Sequence, residues 1–217
     1  LGFQSNTAII DNGYWSGYGL NLIYWNFRRA PSFFDEVCFT VSGSVPVNHN
    51  LGVAPELIIY KTRGSADNWW TFANVNGAGA LDDAGAWFST GSGNGLTNIA
   101  QVTSTTFKNL NGIFLSSGNT VVTYLFATCA GVSKVGKYTG TGTTKQIDCG
   151  FTSGARFVLI KRTDASGDWY VWDSARGIVA GNDPYLLLNS TAAEVTNTDY
   201  VDTYSAGFEI SSTAPAA

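Results

Sequence analysis

The sequence predicts an all-β protein made of tandem antiparallel β-sandwich units of about 100 residues. Three observations carry that expectation. The chain repeats itself: Phe39-Thr40-Val41-Ser42-Gly43 returns as Tyr138-Thr139-Gly140-Thr141-Gly142, and Glu56-Leu57-Ile58-Ile59-Tyr60-Lys61 returns as Arg156-Phe157-Val158-Leu159-Ile160-Lys161. Ser65-Ala66-Asp67-Asn68-Trp69-Trp70-Thr71-Phe72 likewise returns as Ala165-Ser166-Gly167-Asp168-Trp169-Tyr170-Val171-Trp172, with aromatics in the same three places. Short apolar stretches alternate with Gly, Asn and Ser turn signals, and no window of a dozen residues carries a helical period; residues 191–195 offer one helical turn at most. Finally, charged residues make up 13% of the chain, against roughly 25% in typical domains, which is the balance of a turn-rich β protein with a weakly charged surface.

The elements follow in order. The apolar run at 20–27 is the first expected strand, and its residues 22–27 recur at an offset of 99 residues as 121–126, within the expected strand 120–127. Residues 36–41 and 134–139 open the two units, each containing the aromatic of the repeated phrase, Phe39 or Tyr138. Residues 56–61 and 156–162 are near-continuous apolar runs, as a central strand buried on both faces requires. Residues 69–73 and 169–173 are aromatic and β-branched. Shorter strands are expected at 86–89, 105–108, 185–188 and 207–211.

Aligning the repeats divides the chain into residues 1–34, the closing strand and linker of a preceding repeat; residues 35–134, a complete β-sandwich repeat; and residues 135–217, a second repeat lacking its closing strand. The chain starts at Leu1 without an initiator Met and ends in Ser212-Thr213-Ala214-Pro215-Ala216-Ala217, so it reads as a fragment of a longer protein. A sandwich missing a strand exposes unpaired backbone groups and an apolar face. The missing strand could come from a continuation of the parent chain, from a neighbouring subunit, or from residues 1–34; the first is the favoured expectation.

Several function classes are disfavoured. A formal net charge of -4 with scattered basic residues argues against nucleic acid, whose phosphates need clustered Lys and Arg. The pairs around Lys61 to Arg63 and Lys161-Arg162 read as strand-end solvation. The longest apolar runs fall far short of the roughly 20 residues of a membrane span. Cys38, Cys129 and Cys149 have no CxxC spacing, and none recurs at the repeat offset, so neither a repeat-defining disulfide nor a zinc site is expected.

The candidate binding residues are Asp67, Asn68, Trp69 and Trp70 in the first unit and Asp168, Trp169 and Tyr170 in the second. Planar aromatics stack on pyranose faces while Asp and Asn accept hydroxyl hydrogen bonds, so this pairing fits glycan contact. The same composition also suits a hairpin turn followed by core aromatics, with one ring of each pair inward. Asp183, with Asp164, Asp168 or Asp173, is a set of calcium-type oxygens without an EF-hand spacing, and Asn182-Asp183-Pro184 equally reads as a turn. The glycine-rich stretches 140–144 and 91–95 open no helix and read as turns rather than phosphate cradles. His49 is the only histidine, no GxSxG elbow accompanies it, and its repeat counterpart is Asp148; a turn or hydrogen-bonding role is expected rather than catalysis. Carboxylate pairs for glycoside hydrolysis would have to come from Asp82-Asp83, Asp173, Asp199 or Asp202. No catalytic residue, metal or cofactor is assigned, and the chain is expected not to be an enzyme.

The phrases 34–40, 49–59, Gly167-Asp168-Trp169-Tyr170 and 181–190 resemble a tandemly repeated family of virion structural proteins in tailed bacteriophages, prominent in marine and cyanobacterial phages; the likeness covers nearly the whole chain. That resemblance implies a tail-fibre, adhesin-like or other appendage component, located in the virion and contributing to host-surface recognition. The implied partners are other virion proteins, further copies of the chain in a homo-oligomer (a trimer by analogy with fibres), and a host-surface glycan, with no nucleic acid and no membrane insertion. A capsid-decorating or head-fibre protein and a free carbohydrate-binding module are the alternatives. The first unit has Ala86-Trp87-Phe88-Ser89 where the second has Tyr185-Leu186-Leu187-Leu188, so a site on that strand would not be duplicated.

Overall fold

The computed structural model describes residues 25–73, 80–85, 100–109 and 117–215. Every regular element among them is a β-strand: β1 (Phe34–Thr40), β2 (Val47–Asn48), β3 (Leu57–Thr62), β4 (Trp69–Ala73), β5 (Ala80–Gly85), β6 (Ala100–Val102), β7 (Thr106–Asn109), β8 (Thr120–Phe126), β9 (Lys145–Asp148), β10 (Phe157–Lys161), β11 (Trp169–Asp173), β12 (Leu186–Leu187), β13 (Val201–Tyr204) and β14 (Gly207–Ile210). All pairings between these strands are antiparallel. The chain is therefore all-β, as expected.

β1 to β8 form one sheet in the order β1-β8-β3-β4-β5-β6-β7-β2. Its middle is fixed by two long ladders on β8, which pairs Phe126 with Phe34 of β1 on one side and with Leu57 of β3 on the other. β8 alternates strictly between buried and half-buried positions, so one face carries Val121, Thr123 and Leu125 and the other Val122, Tyr124 and Phe126. The first face joins Ile58, Tyr60, Trp70 and Phe72 of the neighbouring strands in a core that also takes Val102 of β6 and Phe107 of β7. The far half of the sheet thus folds back over the near half, in sandwich-like fashion. A register shift at Phe72/Ala73 in the β4–β5 ladder marks where it turns. Leu125 and Val121 are fully buried; each such side chain contributes roughly 1.5–3 kcal/mol of burial.

The second core lies between two three-stranded sheets, β10-β11-β12 and β13-β14-β9. It gathers Val158, Ile160, Trp172, Val201, Phe208 and Ile210, with Tyr170 and Tyr185 packed against it. Gly207 lets the second sheet close: a Cβ there would stand 2.0 Å from the Ile147 carbonyl oxygen. The hairpins β3–β4 and β10–β11 have the same register, Lys61 opposite Trp69 and Lys161 opposite Trp169. The repeated turn glycines Gly43 and Gly142 also share a left-handed backbone, φ 66° and 71°, which only glycine adopts without strain.

Several expectations need correction. Residues 134–139 form no strand, although their counterparts form β1. β1 exists because β8 pairs along its whole length; residues 134–139 have no such ladder. Of the expected strand 20–27, residues 20–24 lie outside the described residues and 25–27 are not strand; 86–89 also lies outside them. Residues 191–195 are not helical. The short strands β2, β5, β6, β9 and β13 carry no periodic signal strong enough to read, because each is set by its neighbour rather than by a run of its own.

Residues Trp25–Arg29 run as irregular chain between the two cores. Phe27 packs on Phe34 (5.7 Å between ring centroids) and Phe126 (5.4 Å) of the first sheet and on Phe157 (5.5 Å) of β10. Arg29 pairs with the buried Asp35 at 3.3 Å.

Candidate binding face

The outer face of the first sheet is read from its registers. Cys38, Val122, Lys61 and Trp69 form one row across β1, β8, β3 and β4, and Glu36, Tyr124, Ile59 and Thr71 form the next. Trp69 begins β4 and, by strand alternation, points away from the core side that Trp70 fills. It remains 37% exposed. Its ring runs near-parallel to that of Tyr124, with 6.2 Å between centroids and 17° between planes, an offset pair. Burial, reinforced by Glu36 and Cys38, pushes the Tyr124 phenol above its usual range, so it stays a neutral donor.

Beside this ring the hairpin turn is tied to its own strand. Lys61 Nζ donates to the Asp67 carbonyl, and Asp67 Oδ1 accepts the Asn68 N–H at 2.8 Å. The second hairpin repeats the device: Lys161 Nζ donates to the Gly167 carbonyl at 2.6 Å. There Asn189 completes a clamp, its Nδ2 donating to Asp168 Oδ1 and its Oδ1 accepting the Trp169 N–H, both at 2.8 Å. Lys61 and Lys161 thus staple turns instead of merely solvating strand ends. Arg162 pairs with Asp164 at 2.7 Å in solvent.

The seven candidate residues are therefore divided. Asp67, Asn68 and Trp69 adjoin one another at the turn end of the first hairpin. Trp70 is core, stacked on Tyr60 at 6.4 Å and 15°. Trp169 is only 6% exposed, and Tyr170 stacks on Trp172 at 5.6 Å and 14° within the second core. One ring of the first pair points inward and the other outward; in the second, both are at least half-buried. Tyr124 and Glu36 complete the face and were not singled out from sequence. The signal was present: Tyr124 has the opposite parity to Val121, Thr123 and Leu125 in a strand whose inner side is apolar.

Of the other carboxylates, Asp199 and Asp202 lie near enough to Asp183 for their charges to disfavour its ionisation. Asp183 is fully buried and accepts the N–H groups of Tyr200 and Val201 at 2.8 to 3.1 Å. Burial pushes its carboxyl up to about 6 despite those donors. Asp173 is tied to Arg176 at 3.0 Å and to Trp25 Nε1 at 2.9 Å. Burial opposes its ionisation, but the Trp25 and Arg176 hydrogen bonds outweigh it and hold the carboxyl below its usual range. Among the described residues no three His, Cys, Asp or Glu side chains group as metal ligands. Side chains of Asp82 and Asp83, and all of residues 91–95, lie outside the description.

His49 is buried, with Nδ1 accepting the Leu51 N–H at 3.2 Å and Nε2 facing the Thr103 carbonyl at 3.2 Å. Its counterpart Asp148 accepts the Gly150 N–H at 2.8 Å. Both residues close a turn two positions on, by different chemistry. All three cysteines are free thiols, and no helix among the described residues is long and apolar enough to cross a membrane.

No curated protein and no solved structure matches the chain. Residues 28–217 match the family described as Domain of unknown function (DUF7483), a stretch that includes both cores, and the chain belongs to that family.

Proposed function

We propose that the chain is a non-enzymatic structural component of a bacteriophage virion, a tail fibre or similar appendage of tandem sandwich units of about 100 residues, contributing to host-surface recognition. The observation that carries the recognition role is the Trp69 indole, 37% exposed and near-parallel to Tyr124, directly after Asp67 and Asn68 in the hairpin turn. A flat ring flanked by hydrogen-bonding groups is the arrangement that grips a sugar face. The repeated hairpins supply the rest: they build length and present a face, and the sequence resemblance to virion structural proteins supplies the context. The partners in this reading are neighbouring virion proteins, other copies of the chain in a trimer, and a host-surface glycan, at the outer surface of the particle.

Binding to host-cell polysaccharide by the Trp69→Ala variant tests the recognition role. Its dissociation constant should rise roughly tenfold, as expected for losing about 1.4 kcal/mol of stacking and burial, with an unchanged circular dichroism spectrum. Unchanged binding removes the face from the argument. Gold-labelled antibody against the chain on phage particles separates the locations: label on the tail supports the appendage, and label over the head supports a capsid-decorating or head-fibre protein instead. Glycan binding by a chain that labels no particle points to a free carbohydrate-binding module.

A further inference from the structure

At the repeat offset of 99, Trp25 and Phe27 are the counterparts of Tyr124 and Phe126 in β8. In the first half those β8 residues sit opposite Ile59 and Leu57 of β3, and Leu57 in turn faces Ala73 of β4. In the second half the counterparts of Leu57 and Ala73 are Phe157 and Asp173, which also face each other. Phe27 meets Phe157, the counterpart of the Leu57 that its own counterpart Phe126 faces, while Trp25 reaches the same Phe157–Asp173 pair rather than Leu159, the counterpart of Ile59. Both rings pack edge-on against Phe157, at 5.9 Å and 76° and at 5.5 Å and 89°, and Trp25 Nε1 donates to Asp173 Oδ2 at 2.9 Å.

We infer that Trp25–Phe27 closes the second half in cis, taking beside β10 the place that β8 takes beside β3, and so binds the two cores into one cooperative body. The grip differs in kind from that of β8. Trp25–Phe27 carries no strand; it is held by side chains. Asp173 holds the indole N–H, the buried Arg176 holds Asp173 at 3.0 Å, and the Arg176 guanidinium lies 5.9 Å from the indole centroid, within cation–π range. Phe27 adds contacts to Phe34 and Phe126, so the same short segment touches both halves. This difference also accounts for residues 134–139. A segment anchored by its side chains offers no backbone ladder, so the counterpart of β1 has nothing to pair with. A strand from a continuation of the chain, or from a second copy, would compete for the same place; the contacts within this one chain favour its own segment.

Hydrogen exchange on the full 217-residue chain, read at β10–β11 and at β3–β4, tests the inference with Trp25→Ala and Trp25→Phe. The wild type should unfold in one transition whose midpoint does not depend on protein concentration. Trp25→Ala should speed exchange in β10–β11 at least tenfold, with a smaller change in β3–β4. Trp25→Phe keeps the ring and loses the N–H, so it should fall between the two; it carries the test if the alanine variant fails to fold. Equal acceleration in both hairpins, or none in either, overturns the inference. A midpoint that rises with protein concentration overturns closure in cis and assigns the segment to a second copy.

Discussion

The hairpins β3–β4 and β10–β11 share sequence pattern, register and even the lysine that staples the turn, yet their surroundings differ. β3 has β4 on one side and the full length of β8 on the other; β10 pairs with β11 alone among the described strands, and the rings of Trp25 and Phe27 pack on its Phe157. In the first half β8 organises β1 as well, giving a continuous sheet whose outer face carries the exposed Trp69 beside half-buried Tyr124 and Phe126 and buried Ile59 and Thr71. In the second half the equivalent outer tryptophan, Trp169, is buried and its turn is clamped by Asn189. A duplicated hairpin therefore does not duplicate a site. What stands against the outer face decides whether the ring is a surface or a filler.

The largest expected effect probes whether the two cores stand or fall together. Trp172 is fully buried in the second core, and Trp172→Ala should cost about 3–5 kcal/mol, measured by denaturant unfolding. With coupled halves, tyrosine and tryptophan fluorescence and far-ultraviolet dichroism should move together; two separated transitions would show that the cores melt independently.

The next contrast is in pH dependence, where the halves should respond with opposite sign. Asp183 in the second half has its carboxyl raised to about 6 from an ordinary 3.8. Its proton is held more tightly when folded, so its contribution is fully present below about pH 3.8 and is lost as the pH rises through about 6. His49 in the first half is lowered from 6.5, chiefly by burial, against hydrogen bonds and the Asp35 charge that raise it. Its contribution is present above about pH 6.5 and lost on acidification. Asp183→Asn should flatten the stability profile between pH 4 and 7, while Asp183→Ala should also cost about 2 kcal/mol or more by stranding the buried Tyr200 and Val201 N–H groups. A profile that stays sloped in the Asn variant would assign the dependence to another group. The smallest effect is His49→Gln, which should remove part of the loss of stability on acidification below about pH 6.5, read by denaturant unfolding at each pH.

Much of the fold is legible in the residues. The long strands β3, β8, β10 and β11 announce themselves through β-branched and aromatic runs with turns at both ends, and the repeat itself equates the two hairpins. Their boundaries shift by a residue or two because strand ends are set by where the partner's backbone stops. The short strands β2, β9 and β13 are illegible, since two to four residues carry no period. The binding face is half legible: Asp67, Asn68 and Trp69 stand out as a group, while Tyr124 and Glu36 become neighbours of Trp69 only when β1, β8, β3 and β4 align.

Alone, the chain's chemistry settled an all-β architecture, the duplication of the hairpin and the absence of clustered basic charge, because these depend on local propensity and on residue counts. Tertiary structure alone decided that Trp69 is exposed and Trp169 is not, that 134–139 is irregular where its counterpart is a strand, and that Trp25 lies against Asp173. Each of these depends on a partner distant in sequence. Burial and backbone pairing are properties of the pair, and the repeat can specify only one member of it.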